Sequence, residues 1–571
     1  MKRDSRHRSA GWFVATMFFL LLPYGRCATY HVDCGSASTN IPSAERTLHT
    51  LGEVNGLELS PGDTVLLKRG TTCKGALQPR GSGTEGAPIR IAAYGEGSLP
   101  RIFDGFTDAA ALRLRDQQFW EIESLDVSGS TTYGVLAESA SATIHHIVLR
   151  DLLVHNVRGS LKHKESGLVV LHSTGKGGCF DGVLLDGVQA FDTTQWSGIF
   201  VSDAAHVQVL NSIAHDVQGD GIVVFSSHDA VIAHSLAWHT GMQHQETIGT
   251  PNAIWTWRCT NCVVEDNEVF LADSPGVDGG AFDIDFGNSR NTVRRNYGHD
   301  TDGYCVSVFG AFGPTTASVV EDNLCRANGL APRLAQRQGA ILLMTWQGGS
   351  IDGLVVKNNR VEWNPPGDTP VVRGGADLQA TGVVFSENQI RSTGISFIDP
   401  ELKYAGDHNI YSVSSAGASE LAAARMRFLK LPESNSTIEV LDGTQFVRAA
   451  GTWSLTATVS DDRNGRDRSR ATLVQLMSAA LQFGHADLRV TLTGDADALA
   501  LAADWQLPEA GVVLQARAPG ALLSLKLISP GGETVGEWKN PGCVELGSAL
   551  NEHLGRPNFA FLPFEDVRAT D

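Results

Sequence analysis

The chain has 571 residues, 42% of them hydrophobic, and carries a formal charge of −18. That length exceeds one ordinary core, so several domains or a repeat array are expected. The acidic balance argues against nucleic acid as a partner, because that role requires a basic face.

Lys2, Arg3, Arg6 and Arg8 precede the apolar run Trp12–Leu22. A basic stretch followed by a short apolar one is the pattern of a secretory signal, here residues 1–27; an uncleaved anchor is the alternative. No other stretch is long enough to span a bilayer, so no membrane span is expected after cleavage, and the location is secreted or periplasmic. Disulfides can form in such a compartment. Cys34 and Cys73 bracket the first folded segment and are expected to pair. Cys259 and Cys262 have CxxC spacing, but no second CxxC completes a zinc site. A local bridge or two inert thiols is the better reading. Cys305 and Cys325 occupy similar places in successive repeats and could also pair.

Residues 28–107 alternate short β segments (Thr64–Lys68, Ile89–Ala93) with Pro-Gly and Gly-rich turns, and Leu48–Leu57 reads as a short capping helix. The phrases are Ser60-Pro61-Gly62-Asp63-Thr64-Val65-Leu66-Leu67-Lys68-Arg69-Gly70, Gly83-Thr84-Glu85-Gly86-Ala87-Pro88-Ile89 and Ala93-Tyr94-Gly95. In this order they resemble the entry segment of secreted right-handed parallel β-helix proteins of the pectate-lyase-like superfamily. That resemblance implies an N-terminal cap followed by β-helix coils, and it does not assign a substrate.

From 108 to 412 the chain repeats. Units such as Val263-Val264-Glu265-Asp266-Asn267, Val293-Arg294-Arg295-Asn296 and Val319-Val320-Glu321-Asp322-Asn323 recur, and the asparagines at 267, 296, 323, 359 and 388 lie 27 to 36 residues apart. A period of this size built of β-branched pairs signals a solenoid. Asparagine in one column predicts a stacked amide ladder. Each unit adds a second strand, among them Gly221–Phe225, Ala253–Trp257, Ala281–Phe286 and Gly303–Val308. No helical pattern separates the strands, which excludes a doubly wound sheet. The expected fold is therefore mainly β: a right-handed parallel β-helix of about nine coils, with an N-terminal cap and a small C-terminal α/β domain.

Residues 413–464 read as a linker with a helix at Leu421–Leu431, and 465–571 as the small domain. In it Ala471–Phe483, Asp495–Ala503 and Cys543–Leu554 read as helices, with strands at Leu488–Thr493, Leu523–Ile528 and Thr534–Trp538. The strand pair followed by the final helix is similar to the end of thioredoxin-like domains. No CxxC opens the helix at Arg470–Ala471, and Cys543 alone is not a dithiol site, so no redox activity carries over. A binding or structural appendage is expected.

The segment Phe282-Asp283-Ile284-Asp285-Phe286 is where chemistry is expected. In a strand Phe282, Ile284 and Phe286 point inward and the two aspartates outward. Aligning the second strands puts Asp283 in register with Val223, Trp255 and Cys305, and Asp285 with Phe225, Trp257 and Ser307. Trp255 and Trp257, with Arg258 and Ser307, would then form a sugar platform beside the carboxylates; the alternative is that a loop covers the tryptophans. Carboxyls two strand positions apart suit an inverting glycosidase better than a retaining one, and their proximity should raise one pKa. A rival reading of Asp278, Asp283 and Asp285 is a calcium site. The resemblance also implies β-elimination as an alternative. That needs a basic side chain, and lysine is absent between Lys176 and Lys357, leaving Arg258, Arg294, Arg295 and Arg326.

His299, Asp300 and Asp302 have counterparts in other units (His155-Asn156, His215-Asp216, Asp220-Gly221) and are read as turn residues. The expected function is polysaccharide binding and cleavage, by hydrolysis through Asp283 and Asp285, in a monomer without a certain cofactor. A calcium-assisted lyase and a non-catalytic glycan-binding scaffold are the alternatives.

Overall fold

The computed structural model describes residues 27–36, 47–160, 164–193, 195–242, 250–274, 276–329, 331, 334, 339–363, 369–392, 397–414, 433–441, 453–461, 488–494, 521–539 and 543–554. The proposed signal and the predicted helices at Leu421–Leu431, Ala471–Phe483 and Asp495–Ala503 lie outside these residues, apart from Cys27.

The chain winds into a right-handed parallel β-helix. Among the described residues three long sheets run along it, of 16, 14 and 10 strands, and each strand pairs in parallel with the equivalent strand one coil on. The pairing follows from alternation, since apolar side chains every second residue must all face one interior. In the first sheet the interior column runs Ile122, Leu149, Leu185, Val209, Ile232, Val264, Val293, Val320, Val356 and Phe385, one residue per coil. All ten are buried. In the third sheet the column runs Val135, Val169, Ile199, Ile222, Ile254, Phe282, Val306, Ile341 and Val372.

The amide ladder forms and is longer than the sequence pattern indicated. Asn267, Asn296, Asn323, Asn359 and Asn388 each donate from Nδ2 to the Oδ1 of the next member, the last being Asn409, at 2.9–3.1 Å. Each Oδ1 also accepts the backbone N–H of the preceding member, so a buried corner of the coil loses no hydrogen bonds. Toward the N-terminus Ser235 and Ser212 take over the same task.

The entry segment folds as its phrases imply. Thr50 and Glu53 form a capping box on the helix Leu51–Asn55. Asp63 closes the Pro-Gly turn by accepting the N–H groups of Ala28 and Ser60 at 2.7 and 2.9 Å. All three candidate disulfides are present: Cys34–Cys73, Cys259–Cys262 and Cys305–Cys325.

The predicted linker needs correction. Thr437–Leu441 pairs in parallel with Ile410–Ser414 and is one more rung of the second sheet, so the β-helix continues past residue 412. Trp453–Asp461 is a strand flanked by Leu488–Gly494 in parallel and Ala521–Ile528 in antiparallel, and Thr534–Lys539 completes that sheet. Its sequence, Trp453-Ser454-Leu455-Thr456-Ala457-Thr458-Val459-Ser460, alternates strictly between apolar and polar, a strand pattern that the linker reading passed over. The helix Cys543–Leu554 packs on the flank of the β-helix, where Cys543 is buried with Tyr297 and Leu324. The Cys543 Sγ lies 3.2 Å from the Arg295 carbonyl oxygen, and burial pushes the thiol well above its ordinary pKa.

Candidate active site

The third sheet has an outward row of side chains that runs Val223, Trp255, Asp283, Ser307 and Leu342 across five successive strands. Alternation fixes the row, since Phe282 and Ile284 on either side of Asp283 lie in the core. Ser307 therefore faces Asp283, and the predicted match with Cys305 is off by two residues. A slip of two preserves the inward and outward faces, so the pattern alone could not exclude it.

Outward does not mean open. Trp255 is 3% exposed, Asp283 1% and Ser307 0%. The prediction of an open Trp255 platform is thus overturned, and a covered tryptophan is observed. Lys164 is what lies against it: the Nζ stands 4.7 Å above the Trp255 ring and 3.8 Å from Asp220 Oδ2. The indole N–H of Trp255 donates to Asp220 Oδ1 at 3.0 Å, and so does the backbone N–H of Asn252 at 3.2 Å. Asp220 is fully buried, and burial raises its pKa against the opposing effect of Lys164.

Asn252 links this acid to the next. Its Oδ1 accepts from the Gly280 N–H and the Tyr304 hydroxyl, both at 2.9 Å. The amide orientation is thereby fixed, and Nδ2 must donate to Asp283 Oδ2, at 3.0 Å. Ser307 Oγ donates to Asp283 Oδ1 at 2.5 Å. Burial, followed by the charge of Asp285, still drives the Asp283 pKa well above the usual carboxylate range.

Asp285 stands at the rim. The strand ends at Ile284, although the ladder continues through the Asp285 N–H to the Thr256 carbonyl at 3.0 Å. The chain then turns, and Asp285 is half-buried with Oδ1 accepting the Phe286 N–H at 2.8 Å. Its pKa is pushed up to about 7, by burial first, with the Phe286 N–H opposing and the Asp278 charge adding. Because the strand has ended, Phe286 does not point inward as predicted. Its ring lies outside, 5.1 Å edge-on from Trp257 and 5.6 and 5.8 Å from Phe312 and Trp346. Trp257 stacks on Phe225 at 3.8 Å, with the Arg258 guanidinium 4.2 Å from its ring centre.

The acids do not converge as calcium ligands would. Asp278 accepts hydrogen bonds from the Thr250 and Tyr304 hydroxyls, while Asp283 is held by Asn252 and Ser307. Among the described residues no three His, Cys, Asp or Glu side chains are grouped to hold a metal ion. Of the arginines considered as bases for elimination, Arg294 and Arg295 pair with Glu265, and Arg326 pairs with Glu362. Arg294 lies on the first sheet, Arg326 on the second and Arg295 at the corner after Arg294, whereas Arg258 donates its backbone N–H to the carbonyl of Phe286, the residue after Asp285.

His299 belongs elsewhere. It is 1% exposed, its ring nitrogens lie 2.7 Å from Asp300 and 3.1 Å from Glu268, and it ends a stack of rings on the second sheet. The stack runs His155, Phe191, His215, Trp238, Phe270, His299, with centroids 4.1–5.9 Å apart. Asn156, Asp192, Asp216 and Asp300, one after each of four of these rings, have φ of 49–59° and turn the coil in the left-handed region. Asp220, Asn252, Tyr304 and Lys164 are the site residues that sequence reading missed. Asp220 resembled Asp302 in its Asp-Gly setting; the Trp255 indole, the Asn252 N–H and Lys164 converging on it mark it as a site residue.

Residues 191–390 match the family model described as right handed beta helix region. No curated protein matches the chain significantly. Solved structures with a similar path include the native GH136 lacto-N-biosidase from Eubacterium ramulus, at 19% identity and TM-score 0.49, covering 64% of this chain and 67% of that one. The alginate lyase from Paenibacillus sp. str. FPU-7 aligns at 16% identity and TM-score 0.33, covering 60% and 91%. DFA-IIIase from Arthrobacter chlorophenolicus A6, without its lid and in complex with GF2, aligns at 12% identity and TM-score 0.36, covering 68% and 92%. The parallel β-helix is consistent with the pectate-lyase-like superfamily.

Proposed function

We propose that this right-handed β-helix protein is a secreted or periplasmic carbohydrate-active enzyme that hydrolyses a glycosidic bond through Asp283 and Asp285. The observation that carries the reading is the pair itself, a rim carboxyl with its pKa near neutrality in front of a buried carboxyl whose pKa is also raised, by burial and by the neighbouring charge. Two environments that hold protons differently on adjacent carboxyls are what acid–base hydrolysis requires. Asp285 is the member that touches the sugar and passes its proton to the leaving oxygen. Asp283 is its partner, and between them the pair supplies the acid and the base. Elimination is the less favoured course: three of the four arginines considered are committed to ion pairs away from the acids, and Lys164, the basic group beside them, is held between Trp255 and Asp220.

The test is turnover of a glycan panel by Asp285→Asn. Loss of product release with the fold intact supports hydrolysis, and a folded, fully active variant refutes it. A second reading, a glycan-binding scaffold without turnover, is favoured by one observation: Asp283 is 1% exposed with both oxygens hydrogen-bonded. Retained binding with no reducing ends released by the unaltered protein would select it.

A further inference from the structure

Beyond the acids, the edge of the third sheet carries aromatic side chains in consecutive coils. Phe225, Trp257 and Trp346 each stand just before a residue in the left-handed region, and Phe286 stands before Gly287, which also has positive φ. The turning residues are Ser226, Arg258, Gly287 and Gln347, with φ of 48, 46, 76 and 49°. In the coil between Gly287 and Gln347 the left-handed position is taken by Phe312 itself, at φ 56°. A bulky residue is disfavoured there, and the neighbouring coils make the same turn with serine, arginine, glycine and glutamine. Phe312 is 65% exposed, the one large hydrophobic side chain of that kind among the described residues.

The rings form one patch. Phe286 touches both Phe312 and Trp346, and Trp346 rests on the buried Phe309 at 5.6 Å. Trp257 is sandwiched by Phe225 and Arg258 and so bounds the patch, with Arg258 exposed at that end. Phe286 follows Asp285 directly and holds its carboxyl oxygen with its N–H. Whatever lies on Phe286 is therefore beside Asp285.

We propose that Phe286, Phe312 and Trp346 form a binding shelf for successive rings of a neutral oligosaccharide running along the β-helix axis. This rests on the reading of Asp285 as the sugar-contacting acid and extends it to the rest of the chain being cleaved. The flat C–H faces of pyranose rings match exposed aromatic rings, while Asp285 and Arg258 meet hydroxyls at the margin. A net charge of −18 repels a polyanionic glycan. The Phe312 and Trp346 rings lie 5.6 and 5.8 Å from the Phe286 ring, about one pyranose width each, so a single sugar does not cover all three.

The experiment is binding to an array of neutral mono- to hexasaccharides, followed by titration of the best hit with Phe312→Ala and Trp346→Ala. Phe312 is exposed, so its truncation leaves the fold intact, which circular dichroism checks. The expected result is about a tenfold weaker affinity for tetrasaccharides and longer, with monosaccharide binding unchanged. Equal affinities at all lengths, an equal loss for monosaccharides, or no neutral oligosaccharide bound by the unaltered protein would each overturn the shelf. Asp285→Asn separates the two ideas. A variant without turnover that still loses long-chain affinity on Phe312→Ala supports both. Loss of turnover with Phe312→Ala silent removes the shelf and keeps the acid.

Discussion

Ser307 and Asp283 face each other on neighbouring strands, with the serine Oγ 2.5 Å from Asp283 Oδ1. The hydroxyl favours the ionised carboxyl, against burial and the Asp285 charge. Ser307→Ala should therefore raise the Asp283 pKa further. The expected outcome is about a tenfold fall in kcat at neutral pH with KM little changed, one charged hydrogen bond being worth about 1.5 kcal/mol. Ser307→Thr, which keeps the hydroxyl, should recover most of it. A merely structural serine would not give that split.

The proton on Asp285 also links stability to pH. Its pKa rises from an ordinary 3.8 to about 7 on folding, so the native state binds the proton more tightly than the unfolded state. Native stability from this group is fully present below pH 4 and is lost as pH rises through about 7. Asp285→Asn should thus be more stable than the parent at pH 8, with the difference vanishing by pH 4. A gain on the order of 1–2 kcal/mol is expected, under the full linkage value because the side chain keeps some contact with solvent. Thermal melts of both proteins across pH 4–8 provide the measurement.

Asp278 is the charge that most raises the Asp285 pKa. If Asp285 is the acid, activity falls as pH rises past its pKa. Asp278→Asn should move that alkaline limb to lower pH by part of a unit, leaving the plateau rate within about twofold. An unmoved limb would mean that another group sets it.

The amide ladder predicts the largest effect on stability. Asn323 Oδ1 accepts from the Asn296 N–H and Nδ2, and its own Nδ2 donates to the Val293 carbonyl and Asn359 Oδ1. Asn323→Leu would leave several buried polar groups without partners. A loss of about 3 kcal/mol or more is expected, read from the midpoint of denaturant unfolding.

The architecture was legible because it repeats. Each coil states again which residues face inward, and the asparagine column marks the same corner each time. The site was legible only where it breaks the repeat, as Asp283 does. Register was harder, because Cys305 and Ser307 have the same parity and nothing local distinguishes them. Phe286 misled because strand alternation was extended past Ile284, where the chain already turns. Lys164 was invisible for a different reason. It reaches Trp255 and Asp220 across coils from a loop, and a search confined to neighbouring repeats passes over it. Asp220 was set aside as a turn residue because Asp-Gly recurs, and its environment had to be seen in three dimensions to set it apart.

Each rung of the β-helix touches only the rung before and the rung after, so cooperativity runs along a line instead of through a volume. The strand carrying Asp283 is the seventh of ten in the third sheet, with six on one side and three on the other. Either end can open locally and close again without the acids losing their neighbours. Hydrogen exchange should accordingly be fastest at the terminal rungs and slowest around Ile254–Trp257 and Phe282–Ile284. Position along the axis, independent of any contact at the site, protects the chemistry from fraying.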